Sequence, residues 1–272
     1  MENKPSFITI PGAIIIAGAI IAMTLIYVFK PSSTIVKDAK VENAPAINLA
    51  PITSADRILG NPNAPIKIVE YSDPSCPFCK IFNETMVEIM DKYGPEGKVA
   101  LIYRSFPLDT PDAEGNVLHP NAANESRAIE CAGILGGNEK FWEYEKKLYD
   151  LTPSVTSKTP EGLDQKQLPI MAKGLGLDII AFNECLNSQK AKDIVSAQKL
   201  SGINANVSGT PTSFFVLSEK INPTATTYVS NALIQYRIPQ SLLYVTDDKK
   251  MIVMSGAMPK IMVTGIIDSL LK

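Results

Sequence analysis

Histidine and tryptophan each occur once in the 272 residues. His119 is therefore the only imidazole, which excludes any metal site built on several histidines; no metal is expected. Excess basic charge is also missing: 26 Lys and Arg stand against 28 Asp and Glu, a net charge of −2. Nucleic-acid binding needs a basic face, so no nucleic-acid partner is expected. Cysteine is scarce, with four residues at Cys76, Cys79, Cys131 and Cys185. An even count invites disulfides only in an oxidising compartment, and the compartment must be read from elsewhere in the chain. Internal repeats are absent. What remains is an ordinary globular balance of 45% hydrophobic and 20% charged residues.

Charge is missing altogether from Ile10 to Phe29, IPGAIIIAGAIIAMTLIYVF. About 20 residues at roughly 1.5 Å each span the hydrocarbon thickness of a bilayer. Lys4 and Lys30 flank the run and Tyr27 stands at an interfacial position. A cleaved signal peptide would have a shorter apolar core and a small-residue cleavage site, and YVFKPSS has none. We therefore expect a tail at 1–9, an uncleaved signal-anchor helix at 10–29 and a Pro- and Ala-containing tether at 30–52. The remainder, 53–272, is long enough for one large domain or two small ones. A Lys count around the span favours the opposite orientation, but a long following domain can translocate regardless of that bias. The cysteine chemistry below places the domain outside the cytoplasm, on a single-pass anchor in the cell membrane.

Apolar periodicity gives the order of elements. IKIVEYS (66–72) reads as a strand and PFCKIFNETMVEIMDKY (77–93) as a helix with Phe78, Phe82, Met86, Ile89, Met90 and Tyr93 on its apolar face. KVALIYRSF (98–106) is a second strand, completing a βαβ unit. Helices follow at 121–135, 141–149, in two pieces over 163–187, and at 189–201. SFFVLS (213–218) is a strand after Gly209-Thr210-Pro211. A helix is possible at 228–236. A hairpin at 242–254 and an amphipathic helix at 258–271 end the chain. The fold class is α/β, with a helical insertion at about 119–205.

Cys76-Pro77-Phe78-Cys79 carries the chemistry. It follows a strand and opens a helix, where unpartnered backbone N–H groups stabilise a thiolate. Cys76 at the helix mouth is expected to be the exposed nucleophile and Cys79, one turn in, the buried resolving thiol. Pro77 suits the first helical turn. A zinc site would need a second cysteine pair of suitable spacing, and Cys131 and Cys185 lie 54 residues apart. A purely structural disulfide has no need of the helix-mouth field.

Strand, VEYSD, PSCPFC, helix and, far downstream, SGTPTSF resemble the DsbA-like family of thioredoxin-fold oxidoreductases, in particular its membrane-anchored members. The resemblance covers nearly all of 53–272, including DRILGNPNAP at 56–65 ahead of the first strand. It implies a thioredoxin-like fold with an inserted helical subdomain behind one transmembrane helix, and dithiol–disulfide exchange at Cys76 and Cys79 without a cofactor. It implies that Pro211 is a cis-proline beside the pair. Thr210, with Pro77 and Phe78, would meet extended substrate peptide. Glu70 would be the buried acid behind the motif; the residues alone leave it equally open to exposure on an edge strand. Implied partners are exported proteins with free thiols and a quinone-linked membrane partner that reoxidises the enzyme.

Two departures from the family pattern stand out. The strongest oxidants carry His where this chain has Phe78, so a less oxidising couple is expected. Residues 219–241 are longer than the usual connection. A second disulfide between Cys131 and Cys185 is implied by the resemblance and fits an outward location; two buried free thiols are the alternative. His119, ahead of Pro120-Asn121, is read as structural. Rival functions are a membrane-tethered reductase or isomerase using the same pair, and a non-catalytic tethered binding module with structural cysteines.

Overall fold

The computed structural model describes residues 47–153 and 162–272. The expected tail and anchor at 1–29 lie outside the described residues, as does most of the tether; no helix among the described residues is long and apolar enough to cross a membrane.

Six strands form one mixed sheet: β1 (Arg57–Gly60), β2 (Ile66–Ser72), β3 (Val99–Ser105), β4 (Thr212–Leu217), β5 (Leu243–Val245) and β6 (Met251–Ser255). Their order is β1-β3-β2-β4-β6-β5, with β2 and β3 parallel and every other pair antiparallel. Helix α1 (Pro77–Tyr93) makes the crossover between β2 and β3. Four helices, α2 (Ala122–Leu151), α3 (Gln167–Gly174), α4 (Ile179–Asn187) and α5 (Gln189–Asn204), stand between β3 and β4. Helix α6 (Pro223–Tyr236) connects β4 to β5, and α7 (Lys260–Leu270) closes the chain.

Strand residues alternate between two apolar layers because successive side chains leave a strand on opposite faces. Ile66, Ile68, Val99, Leu101 and Phe215 join α1, α6 and α7 in one core. Val69, Tyr71, Ala100, Ile102 and Phe214 face the other way. By the same period, Glu70 shares a face with Ile66 and Ile68. In α1, Cys79, Phe82, Met86, Ile89, Met90 and Tyr93 are buried at helical spacing. Each large apolar side chain so covered contributes roughly 1.5–3 kcal/mol. Phe78, expected on that apolar face, is instead 61% exposed. It sits on the first turn, before the helix reaches the sheet.

Three further differences from the sequence reading have local causes. The strand β1 was not expected; it is four residues long, and its edge is held by Asn138, whose side chain bonds both the N–H (3.2 Å) and the carbonyl (2.6 Å) of Ile58. The tether does not run to residue 52. Ile47, Leu49 and Ile52 pack on the second layer, and buried Arg104 donates to the carbonyls of Ala50 and Pro51, each at 3.0 Å. Helix α6 begins at Pro223 rather than Tyr228, capped by Asn222, which accepts from the Ala225 N–H.

The helical block has its own core around Ile129, Phe141, Tyr144, Leu148, Leu168 and Phe182. Helix α2 is broken where Gly137 takes a φ of +79°, which glycine adopts without penalty. This is the gap between the two helices expected at 121–135 and 141–149. Cys131 and Cys185 are joined by a disulfide that ties α2 to α4.

Candidate active site

The β2–α1 turn places both motif cysteines. Asp73 accepts the Cys76 N–H on its carbonyl (3.0 Å) and directs its own N–H at Cys79 Sγ (3.4 Å). Cys76 is the N-cap of α1 in extended backbone, and Pro77 follows as the first helical residue. No side chain caps this end, so its amides are left for the sulfur. Both thiols are free and buried, in contact with Tyr149 of α2. Cys76 is only 3% exposed, where a freely exposed nucleophile was expected. The cause is a cavity of 450 Å³ whose walls include Pro77, Phe78, Leu118, His119, Pro120 and Thr210, with Cys76 among them. The sulfur is reached through this cavity.

The environment drives the two thiols apart. The Cys79 thiol hydrogen-bonds the Cys76 sulfur, which together with the amides of Cys79 and Phe78 outweighs burial and brings Cys76 down to about 6. Cys79 is pushed well up, by burial first and then by the neighbouring Cys76. The favoured dithiol state is thus a Cys76 thiolate beside a protonated Cys79. The Thr210 carbonyl lies 3.6 Å from Cys76 Sγ, and the Thr210–Pro211 peptide is cis. Hydrogen bonding by the Thr210 side chain favours ionisation of both sulfurs. Pro211 is buried at the start of β4, and its carbonyl accepts the Gly256 N–H.

Glu70 is buried on an interior strand, not exposed on an edge; it stands in register with Tyr103 of β3 and Ser213 of β4. Burial raises its carboxyl to about 7, opposed by a hydrogen bond from Ser72. Ser72 also bonds the Tyr149 hydroxyl (3.0 Å) and favours the Cys79 thiolate. Behind Cys79 there is therefore a hydroxyl and, beyond it, an acid that titrates near neutrality.

The structure brings together Cys76, Cys79, Pro77, Phe78, Thr210, Pro211 and Glu70, which the sequence reading had marked. It keeps Cys131 and Cys185 apart from them, inside the helical block. It adds residues the reading missed. Asp73 is wholly buried and accepts from the Ser75 and Leu108 N–H groups, and His119 Nδ1 lies 2.8 Å from it. Glu145 of α2 is buried near Glu70, pushed well up by burial and then by the Glu70 charge, and bonded by Asn83. Tyr149 packs in one buried cluster with the two cysteines. Only Asp73 left a signal, by standing three residues before the motif; the others arrive from a distant helix and loop.

A family model described as Thioredoxin matches residues 53–234. The chain belongs to the thioredoxin family. Among solved structures, this thioredoxin-family chain resembles Wolbachia pipientis alpha-DsbA1 with a TM-score of 0.59 and 23% identity, covering 80% of this chain and 92% of that one. It also resembles oxidised BdbD of Bacillus subtilis, with a TM-score of 0.53 and 21% identity over 62% and 86% of the two chains. These likenesses give the fold, which is DsbA-like. In sequence, the chain is 25% identical over 188 residues to a Rickettsia prowazekii protein bearing a provisional protein-disulfide oxidoreductase name, covering 67% of this chain and 63% of that protein. It is 28% identical over 161 residues to a protein of Mycolicibacterium gilvum named Na(+)/H(+) antiporter NhaA 1, covering 58% of this chain. The chain spans only 23% of that antiporter and under two thirds of the Rickettsia protein.

Proposed function

We propose that this chain is a thiol–disulfide oxidoreductase that introduces disulfides into exported proteins. One observation carries the reading: a thiol lowered to about 6 at the mouth of a helix, floored in a cavity and backed by a second thiol that stays protonated. In the oxidised enzyme a substrate thiolate attacks Cys76 Sγ. The Cys76–Cys79 bond breaks, and a mixed disulfide forms with Cys76 as Cys79 leaves with the electron pair. Glu70, near 7 and reached through Ser72, supplies the proton that Cys79 takes up. The substrate's second thiolate then attacks the substrate sulfur of the mixed disulfide and releases Cys76 as thiolate. The substrate departs oxidised by two electrons and the enzyme holds them as a dithiol.

The thiolate makes this direction favourable, because it stabilises the reduced enzyme. At pH 7 a Cys76 near 6 instead of 9 stabilises the dithiol by about 1.4 kcal/mol, roughly 30 mV of oxidising power. Substrate chains dock in extended form along Thr210 and Pro211, beside Phe78. The apolar run 10–29 anchors the domain on the extracytoplasmic side, and a quinone-linked membrane protein restores the disulfide.

The test is trapping. Cys79→Ala should accumulate mixed disulfides with unfolded thiol proteins, and Cys76→Ala should neither trap nor oxidise a dithiol peptide. Full activity in Cys76→Ala would end the proposal. A glutathione titration separates the reductase alternative, which requires a potential as low as about −270 mV.

A further inference from the structure

The cavity over Cys76 contains one group that the exchange chemistry above leaves unused. His119, the only imidazole in the chain, lines the same cavity as Cys76. Its ring and its backbone are each held by one hydrogen bond. Nδ1 lies 2.8 Å from Oδ2 of buried Asp73, and its backbone N–H donates to the Leu108 carbonyl (3.1 Å). Leu108 in turn donates its N–H to the same Asp73 oxygen (2.8 Å). Asp73 is joined to the redox pair through its own backbone, accepting from Cys76 N–H and pointing its N–H at Cys79. One buried carboxylate thus sets both the motif turn and the ring. With Nδ1 donating to Asp73, Nε2 is the ring atom left for the cavity.

We propose that His119, held by Asp73, is the electrostatic partner of Cys76, its imidazolium stabilising the thiolate from across the cavity. It supplies in space the positive charge that Phe78 cannot supply within the motif. The charged groups that act on the ring come from three elements: Asp73 of the β2–α1 turn, Cys76 of α1 and Glu125 of α2. Glu125 is itself raised by burial and bonded by Ser75 (2.6 Å) and Gln165 (2.9 Å). Burial opposes protonation of the ring, but the bond and charge of Asp73, with Cys76 and Glu125, prevail and raise His119 above its ordinary value. The ring therefore keeps its proton to higher pH than a free imidazole does. Coupling of two titrations is reciprocal, so each group must report the state of the other.

A single histidine gives a single imidazole spin system, which makes the coupling directly measurable in the full chain. The His119 pKa is read by NMR in the reduced, the oxidised and the Cys76→Ser protein. The reduced form should lie higher than the other two by about half to one unit, because only it carries the thiolate. Reciprocally, His119→Gln should raise the midpoint of Cys76 alkylation by the same amount, lowering the rate at pH 5.5 about three- to eightfold. A merely structural histidine would not produce equal shifts in the two titrations. A His119 pKa indifferent to redox state and to Cys76→Ser would overturn the pairing, and that arm needs no His119 variant to fold. The inference rests on the oxidoreductase reading only for its use. Coupling without exchange activity would sink the function and leave the pair; activity without coupling would do the reverse.

Discussion

Glu70→Gln removes one ionisation and leaves the shape of the side chain almost unchanged. The Glu70 carboxyl is raised from 4.5 to about 7 by burial on an interior strand. A shift of about 2.5 units at roughly 1.36 kcal/mol each makes the ionised form about 3 kcal/mol less favourable in the folded protein than in the unfolded chain. The sign follows from the raised value. The folded state is fully favoured below the unfolded pKa, near 4.5, and loses this contribution as pH rises through 7. Urea unfolding of the reduced protein between pH 4.5 and 8.5 should therefore show wild type losing about 3 kcal/mol relative to Glu70→Gln, with most of the loss complete by pH 8. Glu145 is raised by burial in both proteins but by the Glu70 charge only in wild type, so the measured difference also includes the part of its shift that Glu70→Gln relieves. The variant should also exchange disulfides at least tenfold more slowly in the step that protonates or deprotonates Cys79, since positioned acid–base groups contribute about a hundredfold or more. Parallel stability curves for the two proteins would refute the buried-acid argument, whatever the activity.

Phe78→His should place a cation beside the thiolate and lower Cys76 by about one further unit, which at pH 7 makes the couple roughly 30 mV more oxidising in a glutathione titration. Phe78 is exposed on the first helical turn, so stability should change by under about 1 kcal/mol in the same urea assay. Replacing Cys131 and Cys185 by Ala removes a cross-link over 54 residues and should destabilise the helical block by about 4 kcal/mol, seen as a lower unfolding midpoint, while the Cys76 pH profile stays in place.

Much of the fold was legible because its elements are strongly periodic. The span 66–93 shows a short apolar-rich run in the strand and a 3.6-residue stripe in the helix, and both elements stand where the sequence placed them. Helix α6 was legible only in part. Its start, PTATTY, carries three threonines of weak helical preference, and the cap Asn222 with Pro223 was the signal left unread. Strand β1 is too short to show a period, and it exists because β3, Asn138 and the Arg57–Glu130 ion pair (3.1 Å) hold it. The attachment of residues 47–52 depends on Arg104, a charge that a strand pattern gives no reason to bury. At the site, the motif could be read from local sequence, whereas the Thr210–Pro211 step and Glu70 were implied by the family resemblance. His119, Glu145 and Tyr149 could not be joined to it, because only the fold brings a loop and the far half of α2 over the sulfurs.

The proposed exchange chemistry depends most on the acidity of Cys76. The rate of carboxymethylation of the reduced protein, followed from pH 4 to 10 with the modified residue located by mass spectrometry, tests it directly. The structure gives a single thiolate at Cys76 with a midpoint near pH 6, and negligible reaction at Cys79 until far higher pH. A midpoint near 9, that of an ordinary thiol, or equal labelling of both cysteines, would contradict it.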